Sequence, residues 1–375
     1  MHQDIREVHI MSIGVVQLVK IMKQLNNLAL LVITLLIVSC RPSDGLVYRI
    51  PEFKSVNTLE KIEFLTDDLG FNSVNDIFKH GNYLYVIAYD FKSQYFLHVY
   101  DIKTGEHVRS SIKYGNGPNE IIYPGISYFD YEKGHLFFYD KVKQELYQYS
   151  VTDDILLVNS RALSLSPWLT NYFQVSEDKY IRIQSNRESS KEDSNNPRIA
   201  LYDNNNNLLY AYNNYPLSGD DSIRHIVYAT ISGAMSINKK YIVTGTVYGG
   251  ILEIFNVSDG INLSSVHYFV EPTLILRNGN FDNDDTILGF NDLFATPKYI
   301  YASYDGENYG DVPVTKFFNN IAVFDYKGRP IGKLRLNNTV ERICVDEDNK
   351  KIYCVRTLKN GEVKLAEIDM HNIMP

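Results

Sequence analysis

The stretch "KKYIVTGTVYGGILEIFNVSDGINL", Lys239–Leu263, decides the fold. Tyr241–Thr246 and Ile251–Asn256 are short runs rich in β-branched and apolar residues, separated by a Gly-Gly connector. Period-two alternation bounded by Gly, Asn and Asp is the pattern of strands, not of helices. A further run, "AMSIN", leads into the first across a tight Lys-Lys turn, and another begins after Ser-Asp-Gly. The unit reads as strand A, turn, strand B, connector, strand C, turn, strand D.

The same unit recurs along the chain. Strand C ends in a polar turn residue at "FLHVYD" (Asp101), "ELYQYS" (Ser150), "RIALYD" (Asp203), "ILEIFN" (Asn256), "NIAVFD" (Asp325) and "KLAEID" (Asp369). Strand B precedes it in "NYLYVIAYD", "GHLFFYD", "DKYIRIQS", "KKYIVTGT", "PKYIYASYD" and "KKIYCVRT". Six antiparallel four-stranded units predict an all-β six-bladed propeller, with blades packed radially around a channel. The last unit has no strand D, because only "MHNIMP" follows Asp369. Leu59–Leu65 can supply it, closing the ring and removing an exposed edge. A pair of β-sandwiches would house the same strands but leaves that missing strand unexplained.

The N-terminus reads as a leader. A second start at Met22 is followed by Lys23 and the apolar core Leu28–Val38. That core is too short to span a bilayer and fits a signal peptide. "IVSC" at Ile37–Cys40 resembles a bacterial lipobox, which implies lipidation of Cys40 and a membrane anchor. The expected organisation is a leader over 1–39, a tether over 40–58 and one propeller over 59–375. The address is then the cell envelope, on either the periplasmic or the surface side.

Composition narrows function further. The 375-residue chain is 45% hydrophobic and 22% charged, values of a folded protein, and its 29 Tyr and 18 Phe suit pleated sheets. A net charge of −8 without a basic patch argues against a nucleic-acid partner. The nine histidines are scattered without metal-ligand spacing, and no cofactor motif is present.

"GNGPNE", Gly115–Glu120, has the composition of a ligand loop. A phosphate cradle would need a following helix, yet "IIYPGISYFDY" follows and reads as a strand. Gly115 and Gly117 permit positive φ, Pro118 fixes a turn, and Glu120 is placed to accept hydrogen bonds from loop amides. A ligand role for Glu120 is the alternative. The lipobox, the six units and G-N-G-P-N-E opening the second blade together resemble the TolB-like or NHL-like six-bladed propeller lipoproteins of Bacteroidetes. That resemblance covers most of residues 40–375 and brings no catalytic residues with it.

Strand direction sorts the loops. The A–B and C–D turns emerge on one face and are short. The B–C and D–A connectors emerge on the other and include the long segments 185–198, 213–225, 270–289 and 303–319. Long loops on a rigid scaffold are where binding usually resides. Candidate binding residues there are Glu120, Trp168, Tyr215, Tyr304 and Tyr309, with Asp282 and Asp284 in "FDNDDT" as oxygen donors lacking a calcium-loop spacing. Cys344 and Cys354 flank a hairpin and read as two buried thiols or a cross-strand disulfide. The leading expectation is a lipid-anchored scaffold that binds an envelope protein or a glycan without chemistry. The alternative is a propeller hydrolase or lyase acting at the channel mouth.

Overall fold

A computed structural model describes residues 51–373, apart from 61, 72, 91, 93, 153, 164, 166–168, 186–196, 216–226, 229–230, 259, 269–274, 278–279, 283–285 and 312–316. Two short strands come first, β1 (Ser55–Thr58) and β2 (Glu63–Phe64). Blade 1 holds β3 (Asp76–His80), β4 (Tyr83–Asp90), β5 (Tyr95–Asp101) and β6 (His107–Lys113). Blade 2 holds β7 (Pro124–Asp130), β8 (His135–Asp140), β9 (Glu145–Val151) and β10 (Ile155–Ala162). Blade 3 holds β11 (Leu169–Gln174), β12 (Lys179–Gln184), β13 (Ile199–Asp203) and β14 (Leu208–Tyr212). Blade 4 holds β15 (Ile231–Met235), β16 (Tyr241–Thr246), β17 (Ile251–Asn256) and β18 (Asn262–Tyr268). A small hairpin, β19 (Ile275–Arg277) and β20 (Asn280–Asp282), lies in the connector that the sequence suggested was loop. Blade 5 holds β21 (Phe290–Ala295), β22 (Tyr299–Tyr304), β23 (Asn320–Asp325) and β24 (Pro330–Arg335). Blade 6 holds β25 (Thr339–Asp346), β26 (Lys351–Thr357) and β27 (Val363–Asp369).

Each blade is an antiparallel meander. The recurring Asp has a local cause. At Asp101, Asp203 and Asp325 the carboxylate accepts two backbone N–H groups of the turn that follows, capping it. The first strands of neighbouring blades pack on one another (β7 on β11, β15 on β21, β21 on β25, β25 on β3), which puts them around the axis. The core is laid down between blades. One apolar layer joins blades 1 and 2 through Phe78, Phe129 and Phe138, and another joins blades 4 and 5 through Leu252, Phe290 and Phe324. Burial in such layers contributes about 2 kcal/mol per large apolar side chain.

The ring closes as expected, but more briefly. β2 pairs with β27 at Glu63↔Glu367 and Phe64↔Ala366, and the Leu65 and Leu69 amides extend the contact to Leu365 and Val363. The segment expected to be tether, 40–58, contributes a strand at its end. β1 adds in parallel to the outer edge of blade 5, and Phe53 packs 5.5 Å from Phe324 and 6.0 Å from Tyr304, so ordered structure begins before Leu59. Cys344 pairs in register with Tyr353, and Cys354 with Ile343. Both are free and buried, and burial pushes each thiol up to about 12.

Candidate functional site

The G-N-G-P-N-E loop is self-contained. Glu120 turns inward and accepts the Gly117 amide at 2.8 Å. A Cβ on Gly115 would lie 2.0 Å from Glu120 Oε2, and one on Gly117 2.9 Å, so both glycines make room for that carboxylate. Gly117 is therefore not a positive-φ glycine, as the sequence suggested; among the loop's non-glycine residues that conformation falls on Asn119, at φ 65°. Lys143 ties the loop down from blade 2, donating to Gly117 O at 3.1 Å and Glu120 O at 2.7 Å.

The other expected residues do not converge. Tyr304 is a correction: it ends β22, is 1% exposed and packs against Phe53 and Phe290, so it presents no surface to a ligand. Tyr215 stands edge-on to Tyr228 at 4.8 Å and covers the Arg198 guanidinium, whose buried pair with Glu253 joins blades 3 and 4. Tyr309 sits in a 3-10 turn with its ring 5.1 Å from Phe317. Asp282 ends β20. Cys40, Trp168 and Asp284 lie outside the described residues.

What does converge is the channel. It contains a pocket of about 420 Å³ lined by the first strands of all six blades. Asp76, Ile126, Asn171, Ser232, Asp292 and Arg342 stand at equivalent register positions, one per blade, opposite Ile87, Tyr139, Ile183, Gly245, Ser303 and Val355. In four blades a bulge precedes that residue (Pro124/Ile126, Leu169/Asn171, Phe290/Asp292 and Val340/Arg342), and bulges re-aim side chains. This ring lies toward the face of the long connectors.

The ring stitches blades together. Ser127 donates to Asp76 Oδ2 at 3.0 Å, and Asn171 donates to Gly233 O at 3.3 Å. The Ile343 amide donates to Asp292 at 2.8 Å, and Arg342 donates to Asn75 O at 2.6 Å and Glu341 O at 2.7 Å. Burial and the neighbouring Asp292 carboxylate raise Asp76 from 3.8 to about 7, against the pull of Arg342, Ser127 and the Ile77 amide. Asp292 is also raised, mainly by burial.

The opposite end of the channel is filled. Tyr131, from blade 2, reaches across the axis to blades 5 and 6: its ring is 5.6 Å from Phe294 and its hydroxyl 3.5 Å from Cys344 Sγ. Around it Lys239 pairs with Asp130 at 2.7 Å and Lys79 with Asp346 at 2.9 Å. In the sequence these first strands, "SVNDIFKH" (73–80), "DLFATPK" (292–298) and "VERICVDEDNK" (340–350), carry strand patterns in which nothing local singles out the charged residues. Stacking the six first strands in register is the signal that would have exposed Asp76, Asp292 and Arg342.

Fold and channel define a class: a six-bladed β-propeller with a polar, partly blocked axial pocket. The chain belongs to the TolB-like 6-blade propeller-like family, whose model matches residues 53–348. It is similar in structure to an exported protein of Bacteroides fragilis, at 14% identity over 87% of this chain and 99% of that one, with a TM-score of 0.51. It is also similar to a member of the duf4221 family from Bacteroides vulgatus, at 10% identity over 82% and 94% of the two chains, with a TM-score of 0.50. No curated protein matches the sequence.

Proposed function

We propose that this chain is an exported propeller that binds an envelope protein or a glycan at the long-connector end of its channel, without chemistry, while a lipid on Cys40 holds it to a membrane. The observation that carries the reading is the axial pocket of about 420 Å³, polar at the end where the long connectors emerge and filled by Tyr131 at the other. A concave site with a few polar groups on a rigid frame is the usual form of a ligand pocket. The lipobox at Ile37–Cys40 supports the anchor.

A channel-filling Ser232→Trp variant tests the site. Glycan-array binding and capture of purified envelope proteins should be lost in the variant while its melting temperature stays within a few degrees of wild type. Equal capture by both proteins sinks the reading. Cys40→Ser should move the protein from the detergent phase to the aqueous phase on extraction of expressing cells. One observation favours a second reading, a hydrolase or lyase: Asp76, near 7, has the proton affinity of a general acid or base at neutral pH. It ranks second because no histidine lines the pocket among the described residues. Turnover of any substrate abolished by Asp76→Asn would reverse the ranking.

A further inference from the structure

Buried carboxylates are normally paired with a cation or held by several hydrogen bonds, because an isolated charge loses its hydration. At the filled end of the channel the rule is obeyed: Asp130 has Lys239, and Asp346 has Lys79. At the polar end Asp76 and Asp292, half-buried against the channel, have hydrogen bonds but no cation partner among the described residues. Among the described residues, no lysine, arginine or histidine nitrogen lies within 4.0 Å of the Asp76 or Asp292 carboxylate. Arg342 is nearby, but its Nε and Nη1 are spent on the backbone carbonyls of Asn75 and Glu341. At the same level Asn171 Oδ1 is buried without a hydrogen-bond donor. The ring thus presents acceptor oxygens in excess, with two carboxylates against one guanidinium. Below it the walls turn apolar at Phe78, Phe173, Leu293 and Phe294, which line the same pocket.

The geometry points to an alkylammonium group as the ligand of this ring: a cation seated between Asp76 and Asp292, on an apolar stem that runs along the phenylalanines. This rests on the reading of the channel as the binding site. The ammonium supplies three donors to an acceptor-rich ring, and the same chemistry can come from a free amine or from a lysine of a partner. Of the other groups near Asp76, Cys344 titrates at about 12 and Lys79 is committed to Asp346. Arg342 is held by the Asn75 and Glu341 carbonyls, Tyr131 is raised well above its ordinary 10.0, and Asp292 shifts in the same direction as Asp76. Binding therefore tightens as pH rises through the titration of the two carboxylates, and it expels a fraction of a proton near pH 7.

Calorimetric titration of the purified protein with hexylammonium chloride, 1-hexanol and sodium hexanoate tests this. Hexylammonium should bind about tenfold or more tightly than hexanol, and hexanoate should not bind. Asp292→Asn and Asp76→Asn should each weaken hexylammonium about tenfold and leave hexanol unchanged. Asn retains the acceptor for the Ile343 amide, and a thermal melt checks folding. Repeating the titration in buffers of different ionisation enthalpy reads the released proton, which a purely structural carboxylate would not give. A short blocked peptide with one central lysine separates the two sources: tighter binding than hexylammonium assigns the ammonium to a partner's side chain, weaker binding to a free amine, and both uphold the inference. Equal binding of the three probes, indifference to both substitutions, or displacement by potassium chloride at equal concentration overturns it. If no probe binds while Ser232→Trp still abolishes partner capture, the ammonium inference falls and the channel reading stands.

Discussion

The two ends of the channel use aspartate in opposite ways. At the short-turn end Asp130 and Asp346 each meet a lysine, at 2.7 and 2.9 Å, around a tyrosine that crosses the axis. At the long-connector end Asp76 and Asp292 meet a hydroxyl and backbone amides, with no cation in contact among the described residues. The first arrangement is a clamp whose charges are already neutralised. The second leaves carboxylates that burial pushes toward the protonated state, an arrangement that weakens the ring when they ionise.

Four substitutions break or sharpen that contrast. The largest effect is expected from Tyr131→Ala, which empties the filled end and should cost about 3–4 kcal/mol in urea unfolding. A loss below about 1 kcal/mol would mean that the tyrosine is no plug. Lys239→Met should cost about 3 kcal/mol, because it strands Asp130, which is only 1% exposed, without its cation. Asp76→Asn should act in the opposite direction. Asp76 sits near 7 in the folded state against 3.8 unfolded, so wild-type stability falls as pH rises from 4 to 7 and stays low above it. The variant should gain on the order of 2 kcal/mol at pH 8, gain nothing at pH 3, and show a flatter stability profile between them. The smallest effect belongs to the rim. Lys143→Met removes the bonds to Gly117 and Glu120 and should cost about 1 kcal/mol, seen best as faster exchange of the Gly117 amide.

How far these features could be read in the sequence depended on how local their causes are. The turn aspartates Asp101, Asp203 and Asp325 act within four residues, so the repeat and the blade count were legible from strand pattern and turn chemistry. The closing strand was legible because the sixth unit lacked one. β1 was not: its partner β24 lies far along the chain, and a parallel edge pairing leaves no turn to announce it. Gly117 was read as a conformational need when it answers a contact, the Glu120 carboxylate, whereas Gly115 does take the positive φ expected of it. Tyr304 was placed on a loop because its strand's last residue and the loop's first look alike in sequence. The channel ring was missed for a different reason. Asp76, Asp292 and Arg342 come from three blades, and only the closed ring brings them to one level.

The ring closure also sets a condition on how the protein comes to be folded. Ser55 Oγ bonds the carbonyl of Ile373 across 318 residues, and Asn57 bonds that of Asn372 across 315. The first strands of the chain are thus among the last to find their partners, since contacts this distant in sequence cannot form until nearly the whole polypeptide is available. Without β2, blade 6 is three strands wide with a bare edge along β27. Deleting residues 55–64 should therefore leave the β27 edge bare and the ring without its closing strand.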